Sequence, residues 1–454
     1  MNPLTASRIA EILGTQVAAG DPSALVSAGV STDTRKLPET SAFFALRGEN
    51  FDGDAFAAAA LESGASLAVV HAWSGPAPVR GAVIIVRDTL LALQRLAHWW
   101  RQQLDIPVVA ITGSNGKTST KDFTAAVLSR RFRVSATRGN LNNHIGVPLT
   151  VLATSPDDEV AVWEMGMNHA GELAPLCEIS RPKYGIITNI GTAHIEHLGS
   201  REAIAEEKGT LARSLPAVGY LFLPAICDFY DYLRQRTRAH LVPVGNGRGI
   251  VRAENLRAEG EGTRFTLVIE GSDSAEVFLP VAGRHMVNNA LLAAGIGWKL
   301  GMTTAEIAEG LASTQISGGR LRRIDHNGIV LIDDTYNANP ESMAAAIDTL
   351  AETPVSNGGR RIIVLGRMGE LGPHAPAAHL RVGELAAARN LKVVAVGEGA
   401  EGIAQGAGGA TYFPDLAEAA AWLAAEAKTG DVLLFKGSRT ATVERVMNSA
   451  FPRH

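Results

Sequence analysis

Short apolar runs alternate with amphipathic or alanine-rich helical stretches along the whole chain, and this alternation predicts an α/β protein built in three parts. From 1 to 105, AFFAL (42–46), LAVV (67–70) and AVIIV (82–86) alternate with helical stretches and predict a small N-terminal α/β domain. An amphipathic helix over 90–104 carries the chain to Pro107, with Trp99 and Trp100 as packing residues. From 106 to 314, apolar runs at 108–111, 160–164, 185–188 and 219–223 predict a central α/β domain with a mainly parallel sheet. Residues 251–282 read as a β-rich insertion, and 282–301 as a helix. From 315 to 454, runs at 329–333, 361–365, 392–396 and 431–435 predict a C-terminal Rossmann-like α/β domain. No G-x-G-x-x-G follows its first strand, so hydride transfer loses its main support.

In such sheets ligands gather at the carboxyl ends of strands, which makes the residues just after each run the places to look for chemistry. After 108–111 comes TGSNGKTSTK. Gly113, Ser114, Asn115 and Gly116 form a loop, and Lys117, Thr118 and Ser119 open a helix. Glycines let backbone amides approach phosphate oxygens, and the helix presents its positive end. Lys117 would reach the β and γ phosphates of ATP, and the Thr118 hydroxyl would hold magnesium. Ile111 stands where the general pattern has its outer glycine.

Glu164 ends the second run and is placed to hold magnesium, directly or through water. After the third run, His194 and His197 offer a transition-metal pair at helical spacing. No cysteine accompanies them, and oxygen-rich surroundings with a triphosphate favour magnesium. Lys208 follows Glu206 and Glu207 on an expected helix, and from pattern alone this charge run reads as exposed and ion-pairing. The loop 138–150 combines Asn140, Asn142, Asn143 and His144. The helix opening at 284 offers His285, Asn288 and Asn289 to an adenine edge or to capping. In the C-terminal part, Asp333, Asp334, Tyr336, Asn337, Lys436, Ser438 and Arg439 converge on one sheet edge. In the N-terminal part, Ser31, Asp33, Thr34, Arg35, Arg47 and Gly48 suit phosphate oxygens, although the pattern alone favours an ordinary polar loop.

Composition narrows the function classes. At 454 residues, with 46% hydrophobic and 19% charged residues, the chain is long enough for several cores. A net charge of −4, with basic and acidic residues mixed, gives no footprint for nucleic acid or an anionic membrane. No apolar stretch is long enough to span a bilayer, and the N-terminus does not read as a leader, so a cytoplasmic protein is expected. Two cysteines, Cys177 and Cys227, exclude a disulfide framework.

ITGSNGKTSTK, GNLNNHIGVPLT, EMGMNHAGEL, TNIGTAHIEHLGS, IDDTYNANPESM, LGRMGELG and KGSR together resemble the Mur ligase family, ATP-dependent amide-bond-forming enzymes of peptidoglycan precursor synthesis. The resemblance spans all three parts, and the family's shortened phosphate loop explains Ile111. YNANP, MGELG and KGSR resemble the member that adds D-alanyl-D-alanine to a UDP-N-acetylmuramoyl-tripeptide, as opposed to sister enzymes that add single amino acids.

The resemblance implies that Ser31, Asp33, Thr34, Arg35, Arg47 and Gly48 bind the uridine nucleotide, against the loop reading, and that Asn143 contacts substrate. It implies phosphate, metal and bridging roles for Lys117, Thr118, Glu164, His194 and Lys208, the last carbamylated in the family. Nucleotide contacts fall to Asn289, Arg320 and Asp334, and the amine substrate to Tyr336, Asn337, Lys436, Ser438 and Arg439. A monomer is expected, as is hinge closure near residue 314. Met286 and Arg367 depart from the family pattern, where asparagine and aspartate are common. A nucleotide-dependent switch is the alternative from another class, and the polar clusters at strand ends in all three parts argue against it.

Overall fold

The computed structural model describes residues 1–49, 51–245, 249–356 and 358–452. The strands group into three main sheets, each largely parallel and flanked by helices, giving a three-domain α/β fold.

In the N-terminal part, Val17–Gly20, Ala82–Ile85, Leu67–Val70, Ala42–Phe44 and Val30–Ser31 lie side by side in that order. All but the first pair are parallel. Of the predicted apolar runs, the strands Ala42–Phe44 and Leu67–Val70 are fully buried, as expected for a sheet covered on both faces, while Ala82–Ile85 ends on an exposed Ile85. The helix Thr89–Gln103 then leads to the central part. Its N-cap is Asp88, whose carboxylate accepts the Leu91 amide at 2.8 Å. Trp100 is buried, and its Nε1 donates to the Thr154 carbonyl at 3.1 Å, tying this helix to the central part.

The central sheet has nine strands, ordered Val134–Ala136, Val160–Glu164, Val108–Thr112, Tyr184–Ile187, Tyr220–Pro224, His240–Val244, Val251–Glu259, Gly262–Ile269 and Ala275–Leu279. The chain runs from Val108–Thr112 to one side of the sheet and then returns to the other, so the loop after Thr112 sits at the topological switch point. The stretch read as an insertion instead continues this sheet. Its hairpin strands pair antiparallel at the edge, and Gly262–Ile269 alternates buried and half-buried positions. Val134–Ala136 and His240–Val244 escape the sequence pattern, one through its shortness and the other through Pro243.

The C-terminal sheet is ordered Arg322–His326, Ile329–Asp333, Val432–Lys436, Arg361–Leu365, Lys392–Val396 and Thr411–Phe413. Only the first pair is antiparallel. Asp333 and Lys436 therefore end neighbouring parallel strands on one edge, and that edge faces the central switch point.

Candidate active site

The phosphate loop takes its shape from two glycines. Gly113 and Gly116 have φ of +149° and +78°, where an L side chain is strained. A Cβ would lie 1.8 Å from Thr188 Oγ1 at the first and 2.6 Å from Asn289 Oδ1 at the second. The loop is pinned to the neighbouring strand end. The Ser114 amide donates to the Asn189 carbonyl at 3.1 Å, and the Asn115 amide to Asn189 Oδ1 at 2.8 Å. Ser114 Oγ accepts the Gly191 amide at 2.9 Å, and the Thr188 hydroxyl donates to the Asn115 carbonyl. Gly116 caps the helix Lys117–Leu128 without a side chain, leaving the first-turn amides, including those of Lys117, Thr118 and Ser119, to an anion. Lys117 folds back so that its Nζ donates to the Gly113 carbonyl at 2.8 Å.

Around this loop the charges are closely coupled. Burial lowers the Lys117 amine below its ordinary value, Glu164 opposes that shift, and Arg320 adds to it. Lys208 is 1% exposed on the helix Arg201–Ser214. Burial and then the Lys117 charge push its amine well below the usual lysine range. Its neighbour Glu207 has a structural task, accepting the Gly171 and Leu173 amides at 2.8 Å each. Glu164 is 2% exposed. Its Oε1 accepts Asn142 Nδ2 at 2.7 Å, whereas its buried Oε2 has no hydrogen-bond partner. An orphaned carboxylate oxygen, together with a hydroxyl in the first turn of the phosphate-loop helix, is a donor set that fits a hard, oxygen-seeking cation such as magnesium. Thr118 and Glu164 fit that ion. His194 faces the Glu370 carboxylate through Nδ1 and has φ +66°. His197 instead stacks against His169, ring centroids 4.6 Å apart, so the two histidines do not act as one pair.

The C-terminal part reaches the loop at several points. Arg320 Nη2 donates to Thr118 Oγ1 at 3.1 Å while its guanidinium lies 3.8 Å from the Tyr336 ring centroid. Asn339 Nδ2 donates to Asn115 Oδ1 at 2.7 Å, and Glu341 accepts the Thr192 amide and hydroxyl at 2.9 and 3.0 Å. Behind this contact Lys436 Nζ pairs with Asp334 at 2.6 Å and donates to the Asn337 carbonyl at 3.0 Å. Burial raises the Asp334 carboxyl above its ordinary value, and Lys436 opposes the rise. Burial, and then the Lys436 charge, push His285 down to about 4, so it is neutral.

Of the remaining predicted residues, one packs on the phosphate loop itself and the others have partners of their own. Asn289 is buried against Gly116, with Nδ2 3.9 Å from Met286 Sδ. Tyr336 and Arg439 line an open cleft with Gly319, Arg322 and Asp333, and Arg439 pairs with Glu444 at 3.0 Å. Ser438 is buried, its amide donating to the carbonyl of Arg367 at 2.9 Å. Asn143 Oδ1 accepts the Ile145 and Gly146 amides at 3.1 and 2.8 Å, so its side chain shapes a turn. On the N-terminal sheet, the parallel strands Val30–Ser31 and Ala42–Phe44 deliver Ser31, Asp33, Thr34, Arg35, Arg47 and Gly48 to one edge, apart from the phosphate loop. There Arg35 holds the Asp33 carboxyl at about 2, and Arg47 pairs with Asp52 and Asp54 at 3.0 and 3.2 Å. Asn142, Asn189, Asn339 and Glu370 had no assigned role from sequence. All lie in polar strand-end loops, but only tertiary contact shows what they hold.

Known proteins match this chain along nearly its whole length. The Mur ligase middle domain pattern matches residues 111–297, the Mur ligase glutamate ligase domain 319–439, and the catalytic domain of the Mur ligase family 27–100. The UDP-N-acetylmuramoyl-tripeptide--D-alanyl-D-alanine ligase of Escherichia coli is 38% identical, over 99% of this chain and 98% of that protein. This chain belongs to the Mur ligase family. The Bacillus subtilis ligase of the same name is 37% identical, over 98% of this chain and 97% of its own. Among solved structures, MurF from Acinetobacter baumannii superposes with a TM-score of 0.91 at 32% identity, covering all of both chains. The MurF ligase from Thermotoga maritima in complex with ADP gives 0.83 at 27% identity, over 93% of this chain and 96% of that one. Met286 is buried beside Asn289, and Arg367 Nη2 donates to Thr440 Oγ1 at 3.3 Å.

Proposed function

We propose that this chain is an ATP-dependent ligase that joins D-alanyl-D-alanine to the terminal carboxylate of UDP-N-acetylmuramoyl-tripeptide, releasing ADP and phosphate in peptidoglycan precursor synthesis. The observation that carries this reading is that groups from two domains meet at one phosphate loop, with Arg320 on Thr118 and Glu370 on His194. Full-length similarity to ligases of that name supports the substrate assignment. In the proposed division of labour, residues 1–105 receive the UDP end of the substrate, 106–314 hold ATP, and 315–454 bring the dipeptide.

A carboxylate is a poor electrophile, so the peptide acid attacks the γ phosphorus of ATP through one oxygen and ADP leaves. The acyl phosphate so formed is attacked at its acyl carbon by the dipeptide amine. The amide bond forms, the bond from acyl carbon to phosphate oxygen breaks, and inorganic phosphate departs with the carboxylate oxygen while the proton lost from the nitrogen passes to phosphate or solvent. The first-turn amides of Lys117, Thr118 and Ser119 hold phosphate oxygens, and Lys117 swings from the Gly113 carbonyl onto them. Arg320 adds positive charge from the opposite side, and Asn289 and Asp334 flank the nucleotide. Thr118 and Glu164 would hold magnesium, with His194 and Lys208 at a second position, and the ion would offset charge on the transferred phosphoryl group.

Burial and the Lys117 charge lower the Lys208 amine well below the usual lysine range, which favours the uncharged form that carbon dioxide attacks, and a carbamate there would convert a misplaced cation into an oxygen ligand. Tyr336, Asn337, Lys436, Ser438 and Arg439 form the dipeptide side, and Asn143 shapes the wall toward the peptide acid. Ser31, Asp33, Thr34, Arg35, Arg47 and Gly48 take the uridine diphosphate end. The enzyme works as a monomer in the cytoplasm, where ATP and nucleotide-linked precursors are made. No helix among the described residues is long and apolar enough to cross a membrane. ADP release against a panel of UDP-muramyl peptides and amines tests the reading. It expects turnover only with a tripeptide and D-alanyl-D-alanine together, and preference for a single amino acid would overturn it.

A further inference from the structure

The helix that opens at the phosphate loop carries a second acidic anchor that the reaction as described leaves unused. Asp122 stands four residues after Thr118 on the helix Lys117–Leu128, so the two side chains lie one above the other on one face. Its side chain is only 9% exposed. One carboxylate oxygen, Oδ1, pairs with Lys121 Nζ at 2.8 Å, and Lys121 also donates to the Thr137 carbonyl at 3.1 Å. The other oxygen, Oδ2, accepts the backbone amide of Ser317 at 2.9 Å. Ser317 lies on the segment between the helix Thr304–Ala312 and the strand Arg322–His326, where the chain passes into the C-terminal part.

Three residues beyond Ser317 stands Arg320, whose guanidinium meets Thr118 Oγ1 at 3.1 Å and the Tyr336 ring at 3.8 Å. Three residues of extended chain span at most about 10 Å, so fixing Ser317 confines where the Arg320 backbone can be. The intervening Gly318 and Gly319 cannot do this themselves, because glycine leaves the chain conformationally free and Gly319 has φ +73°. The Gly319 carbonyl is held from the far side by the Tyr336 amide at 3.1 Å. The segment is therefore clamped at both ends, to the phosphate-loop helix and to the C-terminal sheet, with Arg320 just after the clamp.

We infer that Asp122 is a positioning residue for Arg320. By holding the Ser317 amide it sets the interdomain segment so that the arginine arrives on the transferred phosphoryl group. This inference rests on the ligase reading above and adds to it a residue that touches neither substrate nor nucleotide. A buried carboxylate accepting a backbone amide is a charge-assisted bond, strong enough to hold a glycine-rich segment in register.

The test is a set of variants of the full-length enzyme, with product amide quantified by mass spectrometry over hours so that slow variants register. Asp122→Ala is expected to lower kcat about tenfold, the size of one charge-assisted hydrogen bond, while KM for tripeptide and dipeptide stays within about twofold. Asp122→Asn keeps an oxygen acceptor and is expected to recover most of the loss. Adding Asp122→Ala to Arg320→Ala is expected to cost nothing further, because the pair acts through one guanidinium. A purely structural role would impose the same loss on either background, and that result, or an unimpaired Asp122→Ala, would overturn the inference. Ser317→Pro removes the donor while leaving the Asp122–Lys121 pair in place, and it carries the test if Asp122→Ala does not fold. Wild-type enzyme in the same assay separates the two claims. Its failure to join the substrates would sink the ligase reading, whereas normal wild-type turnover with additive losses sinks only the role of Asp122.

Discussion

Replacing Glu164 by glutamine removes one negative charge from the site without changing its shape. The native carboxylate is 2% exposed, bonded through Oε1 to Asn142 at 2.7 Å, with Oε2 buried and without a partner. Glutamine retains an oxygen for Asn142, so the strand end stays in place. What is lost is attraction to a cation: two unit charges in contact at an effective dielectric of about 20 interact by about 4 kcal/mol. The amide dipole replaces part of that. We expect a net loss of about 2.7–4 kcal/mol in the transition state, or about a hundred- to a thousandfold in kcat.

Stability should move the other way. A buried carboxylate with one oxygen left without a partner is costly to desolvate, so the ligand-free variant is expected to melt at the wild-type temperature or a few degrees above it. Steady-state ADP release at saturating substrates, with thermal melts run without ligand, reads both effects. Turnover within about threefold of wild type, or a collapse in melting temperature, would show that Glu164 is a packing residue and not part of the phosphoryl-transfer site.

Gly116→Ala places a Cβ 2.6 Å from Asn289 Oδ1 at φ +78°, costing about 1–2 kcal/mol from the backbone alone; calorimetric titration should find ATP binding lost, and wild-type affinity would contradict the loop's role. His285 takes up its proton only near pH 4 when folded and near its ordinary 6.5 when unfolded, so the unfolded chain binds more protons between those values and stability should fall as pH drops from 6.5 towards 4. The slope attributable to this group is at most about 1.4 kcal/mol per pH unit, and denaturant melts of His285→Gln should be flatter by that amount; identical curves would place the imidazole in water. Because the phosphate loop and the C-terminal part share the site, small-angle scattering should show a more compact particle with nucleotide and both substrates than without them. Superimposable profiles would argue against closure near residue 314.

Much of this architecture is visible in the sequence because buried parallel strands are continuous apolar runs. Val108–Thr112, Val160–Glu164 and Arg361–Leu365 could be read off directly, and the chemistry stands at their carboxyl ends. Gly113 and Gly116 were legible for the same reason, since a glycine between an apolar strand and a helix has a local cause. The partnerships across the molecule were not. Asn142 on Glu164, Asn339 on Asn115 and Ser317 on Asp122 join residues far apart in the chain, and nothing in local spacing encodes which polar loop meets which. The charge run 206–208 reads as exposed in the sequence, yet Lys208 is buried and Glu207 is buried as a receptor for two loop amides, a fate that only packing decides. Arg47 and Arg35 each already have a carboxylate partner in the fold, so a diphosphate bound there as proposed would have to compete for them.

The central claim is that the peptide acid is activated by the terminal phosphoryl group of ATP before the amine attacks. The most direct measurement uses UDP-N-acetylmuramoyl-tripeptide carrying oxygen-18 in its terminal carboxylate, with ATP and D-alanyl-D-alanine, and mass analysis of the released phosphate. The account predicts one labelled oxygen in each phosphate formed from doubly labelled substrate. Phosphate free of label, with amide product accumulating, would contradict it.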